Sequence, residues 1–403
     1  MTQTSGKTQD APRNALRPGL SRRMLARLGL ILTAAWLAAC VPAQPGRDGP
    51  RIDPGKAVRV ALLVPQSGAG GDSLLASNLE KAAQLAISDL DGVQIELGVY
   101  DTGGNPTGAA AAATRALAEG AQIILGPVYA ESANAVGRVA ASEGVNVLAF
   151  SNNPTIAGGN VFVLGNLFDT TAERLARYAV QQGKRSILVV HGNAGAEILA
   201  RDAILRAIRN AGATLAGTAG FELSQQGVAS ASPGIVAQAR SSGADAIFLT
   251  SGTDGALPLL AQLLPEQGLS PATTQFIGLQ RWDIPANART LPGLQDGWFA
   301  LPDPNMTARF EARFSAAFGT APHPIAGLAY DGIAAIGALV KQGNAGALSA
   351  VSLTQGQGFV GVNGIFRLLP DGTNQRGLAI AQIRNSQVVV IDPAPRSFGG
   401  AGF

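Results

Sequence analysis

The chain has 403 residues, of which 46% are hydrophobic and 14% are charged, and its formal net charge is +3. This length is sufficient for two domains with separate cores. Residues 1–39 contain six Lys and Arg side chains against the single Asp10, a net charge of +5, so the rest of the chain carries about −2. The charge balance therefore gives no reason to expect a nucleic acid as a partner.

An apolar segment at residues 28–39 follows Arg22, Arg23 and Arg27. It is too short to span a bilayer, which takes about 20 apolar residues. The pattern predicts a secretory signal peptide over residues 1–39. Two export routes remain open. The paired arginines loosely resemble a twin-arginine signal, but a start at Met24 rather than Met1 would remove Arg22 and Arg23. Ordinary export is favoured.

Cys40 is the only cysteine, and it directly follows Leu37-Ala38-Ala39. This run resembles the lipobox of bacterial lipoproteins, and the resemblance implies that Cys40 becomes the first residue and carries acyl chains. Several acyl chains give stable anchoring, whereas one alone is marginal. Val41 resembles the outer-membrane sorting pattern, so we expect a periplasm-facing protein anchored to the outer membrane. The alternative is a secreted chain with an incidental thiol.

The body of the chain alternates strand and helix patterns. Residues 40–56 and 393–403 are rich in Pro and Gly and are predicted to be a flexible tether and a flexible tail, so the folded part spans residues 57–392. The predicted strands are 58–64, 94–100, 122–125, 146–150, 186–190, 246–250 and 275–278. The predicted helices are 75–90, with Asp72 or Ser73 as its cap, 107–119, 131–143, 170–182, 196–211, 234–242 and 255–264. This alternation predicts an α/β fold with parallel sheets covered by helices on both faces.

Ligands of open α/β sheets bind at the carboxyl ends of the strands. In this chain the loops at those positions carry hydroxyl and amide side chains, which suit hydrogen bonding to a solute better than covalent chemistry. The predicted ligand-binding residues are Ser67, Tyr129, Ser151, Asn152, Asn153, Thr155, Asn193, Ser251, Gln280 and Trp282. Ordinary turn chemistry also accounts for each loop taken singly.

Four segments carry a family resemblance: residues 58–65 (VRVALLVP), 100–106 (YDTGGNP), 124–127 (ILGP) and 329–332 (AYDG). Together they resemble the leucine-binding family of type I periplasmic binding proteins. The resemblance implies two Rossmann-like lobes that are joined by a three-strand hinge and close over a solute. Lobe 1 would comprise residues 57–167 and 298–346, and lobe 2 residues 168–297 and 347–392.

The chain departs from the family at the amino-acid clamp. Ser151 and Thr155 match a loop that holds the ligand's carboxylate, but Ala130 replaces a second serine. The loop at 192–195 lacks the family's aromatic cover, and Gln280 lies at or near the position of the acid that pairs with the ammonium. Loss of a charge-assisted hydrogen bond costs about 1.5–3 kcal/mol. We therefore expect free zwitterionic amino acids to bind no more tightly than roughly millimolar.

Two functions follow from the resemblance. Residues 161–165 and 169–173 are also similar to penicillin-binding-protein activators, so we expect a lipoprotein that contacts a penicillin-binding protein. The alternative is the solute receptor of an ABC transporter, whose partner would be a membrane permease. We expect the contact with that partner at residues 168–173 or around Trp282 and Trp298. The alternative for Trp282, which Arg281 and Asp283 flank, is a place at the cleft mouth.

The sequence contains few of the side-chain patterns that enzymes use. It has two histidines, His191 and His323, and no paired cysteines, zinc-binding pattern, nucleophile elbow or phosphate-binding loop. We predict no catalytic residues, no metal and no cofactor.

We expect Cys40→Ser to abolish lipidation and lipoprotein-specific cleavage, because the sulfur that receives the lipid is lost. Metabolic labelling with a fatty-acid probe measures this. A variant that still carries the label would contradict the lipobox interpretation.

Overall fold

The computed structural model describes residues 49–399. Cys40 and the predicted signal peptide lie outside this range. Within it, no helix combines the length and apolar character that crossing a membrane requires.

A parallel five-stranded sheet, the first sheet, forms the amino-terminal part of this range. Its strands have the order β2-β1-β3-β4-β5. They are β1 (Val58–Val64), β2 (Ile95–Asp101), β3 (Ile123–Leu125), β4 (Val147–Ala149) and β5 (Val161–Val163), and the helices between them are α1 (Asp72–Ser88), α2 (Pro106–Ala118) and α3 (Ala130–Ser142). β1 is a nearly continuous apolar run because side chains from both of its faces are buried: Leu62 and Leu63 belong to different core clusters.

Ten further strands build two more sheets. They are β6 (Ser186–Gly192), β7 (Thr214–Phe221), β8 (Ala246–Leu249), β9 (Gln275–Gly278), β10 (Trp298–Leu301), β11 (Phe359–Gly361), β12 (Gly364–Leu368), β13 (Asn374–Arg376), β14 (Ala379–Arg384) and β15 (Gln387–Asp392). The second sheet has the order β15-β14-β10-β9-β8-β6-β7, and the third has the order β11-β12-β13. The second sheet is mixed, because β14 pairs antiparallel with both β10 and β15. The third sheet is antiparallel.

Helices cover both faces of the second sheet. They include α4 (Phe168–Gln181), α5 (Ala196–Asn210), α6 (Gln225–Ser241) and α7 (Leu257–Glu266), and they are followed by α8 (Pro304–Phe318), α9 (Gly327–Val340) and α10 (Ala350–Leu353). Leu188 and Val189 of β6 lie in different core clusters, as alternate side chains of a strand buried on both faces must. The predicted α/β class is confirmed.

Some predicted element limits are wrong. α6 begins at Gln225 rather than 234, because Ser224 caps the helix by accepting a hydrogen bond from the Gly227 backbone N–H at 2.9 Å. α1 follows Gly71 and has no side-chain cap, so the capping role predicted for Asp72 or Ser73 is also wrong. The sequence patterns did not predict β5, β7 or β10 to β15.

The packing of several residues also differs from the predicted limits of the tether, the tail and the two lobes. Ile52, placed in the tether, is 4% exposed and donates its backbone N–H to the Ala345 carbonyl at 2.9 Å. Ala394, placed in the tail, is buried in a core of the second sheet. Residues 298–301, predicted for lobe 1, form β10 of the second sheet, whereas Phe366, predicted for lobe 2, packs in a core of the first sheet.

A buried ion pair joins the third sheet to α9. The Arg376 guanidinium donates to the Asp331 carboxylate at 2.8 Å and to the Leu164 carbonyl at 2.7 and 3.0 Å. The side chains of Arg376 and Asp331 are 5% and 0% exposed. Asp331 also accepts the backbone N–H of Val362 at 2.8 Å. The two charges therefore neutralise each other, and they also form hydrogen bonds with backbone groups of two further segments.

We expect Asp331→Asn to lower the free energy of unfolding by about 3–5 kcal/mol, because the buried Arg376 charge would lose its counter-charge. The matched control is Asp91→Asn, whose carboxylate is 95% exposed in its pair with Lys341, and which should cost less than about 1 kcal/mol. Urea denaturation measures both. Equal losses in the two variants would show that the buried pair has no special role.

Candidate functional site

A cavity of about 710 Å³ lies at the carboxyl ends of β6, β7, β8 and β9 of the second sheet. The loops after these strands and the first turns of α5 and α6 supply most of its wall. Its lining residues are Phe168, Ala196, Glu197, Leu223, Ser224, Gln225, Val228, Gly252, Asp254, Gly255, Ala256, Pro258, Leu259 and Gln280. This is the edge at which open α/β sheets bind ligands.

The first turn of α5 presents the Glu197 carboxylate to the cavity. Its Oε1 accepts a hydrogen bond from Ser251 Oγ at 2.8 Å, and its Oε2 accepts from the Gly192 backbone N–H at 3.3 Å and from Thr250 Oγ1. The helix N-terminus also favours a negative charge at this position. The loops after β6 and β8 thus hold this carboxylate in place from two sides.

Gln280 and Asp254 meet beside Gly252. The Gln280 side-chain N–H donates to the Thr250 carbonyl at 3.0 Å, which fixes the amide. A Cβ atom on Gly252 would lie 2.6 Å from Gln280 Oε1 and 2.8 Å from Asp254 Oδ1. Glycine is therefore needed at 252 for these two oxygens to lie together at the cavity wall.

Ser67 and Tyr129 bind carboxylates at the carboxyl edge of the first sheet. Ser67 Oγ donates to Asp101 at 2.5 Å. Burial raises the pKa of Asp101, but hydrogen bonds from Ser67 and Gly103 outweigh it and hold the pKa below its ordinary value. The Tyr129 hydroxyl donates to Asp72, and this bond and burial raise the pKa of Tyr129 to about 12.

The loop after β4 is bonded within itself. The Ser151 hydroxyl accepts the Asn153 backbone N–H at 3.1 Å. Asn153 Oδ1 in turn accepts the backbone N–H of Thr155 at 2.9 Å and its hydroxyl at 2.8 Å. Asn152 is exposed. None of the predicted residues on the first sheet lines the 710 Å³ cavity.

Of the four predicted residues on the second sheet, Gln280, Ser251 and Asn193 lie near the ends of its strands. Gln280 lines the cavity, and Ser251 supports it through Glu197. Asn193 is exposed, and its backbone N–H is bonded to the Phe221 carbonyl at 2.9 Å. Sequence reasoning missed Glu197, whose signal was an acidic residue just after the glycine-containing loop at the start of a helix.

Trp282 was expected on a surface or at a cleft mouth, and both interpretations are wrong. Its side chain is 0% exposed and stacks with Phe299 at a centroid distance of 6.2 Å. Gly278 and Gly297 form the slot that it fills, because a Cβ on either would lie 2.2 Å from the indole ring. The Pro and the two charged residues near Trp282 in sequence could not reveal this slot, because Gly297 lies on another segment and meets the indole only after packing.

A smaller cavity of about 350 Å³ lies along the edge strand β2. The charged side chains that line it already have partners among the other lining residues. Arg59 pairs with Glu96 at 3.0 Å, and the Tyr100 hydroxyl donates to Glu119 at 2.6 Å. Residues 49–399 contain no cluster of three His, Cys, Asp or Glu side chains arranged to hold a metal ion. The larger cavity, whose two carboxylates have no basic side chain in the same lining, is thus the candidate site.

A two-sheet α/β architecture with a cavity at the carboxyl ends of parallel strands is typical of a solute-binding protein. Residues 57–387 match the periplasmic binding protein family. The chain belongs to this family, and its resemblance to the leucine-binding, type I members is confirmed.

Three structures show the same fold. A branched-chain amino acid ABC transporter periplasmic ligand-binding protein from Burkholderia xenovorans LB400 is 19% identical, with a TM-score of 0.67 over 85% of this chain and 97% of its own. An ABC transporter substrate-binding protein from Desulfitobacterium hafniense in complex with Leu is 18% identical, with 0.62 over 83% and 100%. A Rhodopseudomonas palustris BisB5 solute-binding protein with 3,4-dihydroxybenzoic acid is 16% identical, with 0.58 over 85% and 98%.

One curated relative matches only in part. An uncharacterised protein from Rickettsia prowazekii (strain Madrid E) is 26% identical over 111 residues. The match spans 28% of this chain and 29% of that relative.

We expect Trp282→Ala to lower the free energy of unfolding by about 3–5 kcal/mol, since a large buried side chain would leave a cavity. Leu199→Ala is the control, because that side chain is 42% exposed and its loss should change stability far less. Thermal or urea denaturation measures both. A stable Trp282→Ala protein would mean that the indole does not fill the slot between the two glycines.

Proposed function

We propose that the protein is the solute-binding component of an ABC importer. One observation carries this proposal: the 710 Å³ cavity combines acceptor groups from three separate segments, Glu197, Asp254 and Gln280, with apolar side chains. A concave and mostly apolar site with a few fixed polar groups is the usual form of a small-molecule site. The partner would be a membrane permease.

The neighbouring structures support this assignment by their own ligands. Two of them hold a small solute, Leu in one and 3,4-dihydroxybenzoic acid in the other. Their low identity does not transfer those ligands to this chain. What they support is the class of function, a receptor that encloses one small molecule. Family membership accords with a periplasmic location, and anchoring to the outer membrane through Cys40 stays part of the proposal.

The activator role stays a prediction from resemblance, with less support than the receptor. Its proposed contacts were the segment 168–173 and the surroundings of Trp282 and Trp298. Both tryptophans are buried, and Phe168 lines the cavity. Asp169 pairs with Arg206 at 2.7 Å, so this carboxylate already has a partner within the chain.

We expect Gly252→Ala to weaken solute binding at least tenfold, equivalent to about 1.4 kcal/mol, because the added methyl would displace Gln280 Oε1 and Asp254 Oδ1. A thermal-shift screen of amino acids, amines and carboxylic acids identifies a solute, and calorimetry compares the variants. Gly234→Ala is the control, since a Cβ there meets no atom within 4 Å.

Two results would contradict the receptor assignment. One is a folded wild-type protein that binds no member of the screen. The other is unchanged affinity in Gly252→Ala, which would place the binding site away from this cavity.

A further inference from the structure

We propose that the solute is an organic cation, with an ammonium or guanidinium group on an apolar chain and no carboxylate. This inference rests on the proposed receptor function and names its ligand class. The cation would bind among Glu197, Asp254 and Gln280, and its carbon chain would contact the apolar wall.

The polar groups of the cavity favour a donor-rich ligand. Glu197 and Asp254 supply two carboxylates, and Gln280 presents its amide oxygen, since its N–H is bonded to Thr250. A carboxylate has about four lone-pair positions, and three of those on Glu197 accept from Ser251, Thr250 and Gly192. One position on Oε1 remains for the ligand. The lining contains no Lys, Arg or His.

An anionic group finds no counter-charge at this edge. Arg281 adjoins Gln280 in sequence, but its guanidinium makes a bidentate pair with Asp283 at 2.5 and 2.9 Å. The N-termini of α5, α6 and α7 all lie at the cavity, where each could attract an anion. Glu197 already places a carboxylate in the first turn of α5, and Ser224 caps α6. α7 has no side-chain cap, but its second residue, Pro258, has no N–H to donate, and the carboxylate of Asp254 lies just before the helix.

Three hydroxyl groups at the carboxyl edge of the first sheet already donate within the chain. The hydroxyl hydrogens of Ser67, Tyr129 and Thr155 are committed to Asp101, Asp72 and Asn153 respectively. These bonds also leave two carboxylates at the carboxyl edge of that sheet. Within the 710 Å³ cavity a ligand carboxylate would meet the negative charges of Glu197 and Asp254, whereas a cation would meet complementary charge.

The rest of the wall is apolar and suits a carbon chain. Phe168, Val228, Pro258 and Leu259 line it, together with Leu223, which is 47% exposed. An exposed leucine beside two carboxylates is expected where a ligand has both an apolar and a charged part. The site thus differs from what the Leu and 3,4-dihydroxybenzoic acid complexes require, because both of those ligands carry a carboxyl group.

Three solutes with the same branched carbon chain separate the ligand's charges. They are 3-methylbutylamine, leucine and 4-methylpentanoate, which carry the ammonium alone, both groups, and the carboxylate alone. We expect calorimetry to give the tightest binding for the amine, at least tenfold tighter than for the carboxylate, with leucine in between. Added salt should weaken amine binding.

Two variants tie the cation to this site. Glu197→Gln and Asp254→Asn should each weaken amine binding at least tenfold. Glu266→Gln on the exposed surface of α7 removes the same charge away from the cavity and should leave affinity unchanged. Asp254 is exposed, so its variant keeps the test valid where Glu197→Gln fails to fold.

The outcomes separate this inference from the receptor function. If 4-methylpentanoate or leucine binds at least as tightly as the amine, or if Asp254→Asn binds the amine unchanged, the cation inference is overturned and the receptor function stands. If neither these solutes nor any member of the wider screen binds the folded protein, both are overturned.

Discussion

The ion pair between Asp331 and Arg376 determines how the chain passes between its two large sheets. Arg376 lies at the end of the third sheet, directly before β14 of the second sheet, and also donates to the Leu164 carbonyl at the end of the first sheet. Both charges are buried, and neither could remain there without the other. The pair therefore fixes the distance between chain segments that are far apart in sequence.

The same region positions one wall of the cavity. Asn374 donates its side-chain N–H groups to the carbonyls of Val163 and Gly165, both at 2.8 Å. Its own backbone carbonyl accepts the Thr170 hydroxyl at 3.1 Å. These bonds hold the turn that leads into α4, whose first residue, Phe168, lines the cavity. The geometry of the site thus depends on contacts that lie outside it.

The sequence predicted those parts of the fold that depend on local pattern. β1 and β9 have the predicted limits, because each is an apolar run buried by its neighbours. β7 was missed, since only Phe221 of its residues is fully buried. The candidate site was predicted less well. Glu197 is held by Ser251, which lies in a loop far from it in sequence. Trp282 fills a slot that forms only when the chain packs.

Native mass spectrometry of protein purified without denaturation from the cells that produce it tests most directly whether the cavity holds a solute. We expect a population of the protein that is heavier than the bare chain by one small molecule, which is released when the protein unfolds. Folded protein that is entirely bare, and that gains no mass on incubation with a periplasmic extract, would contradict it.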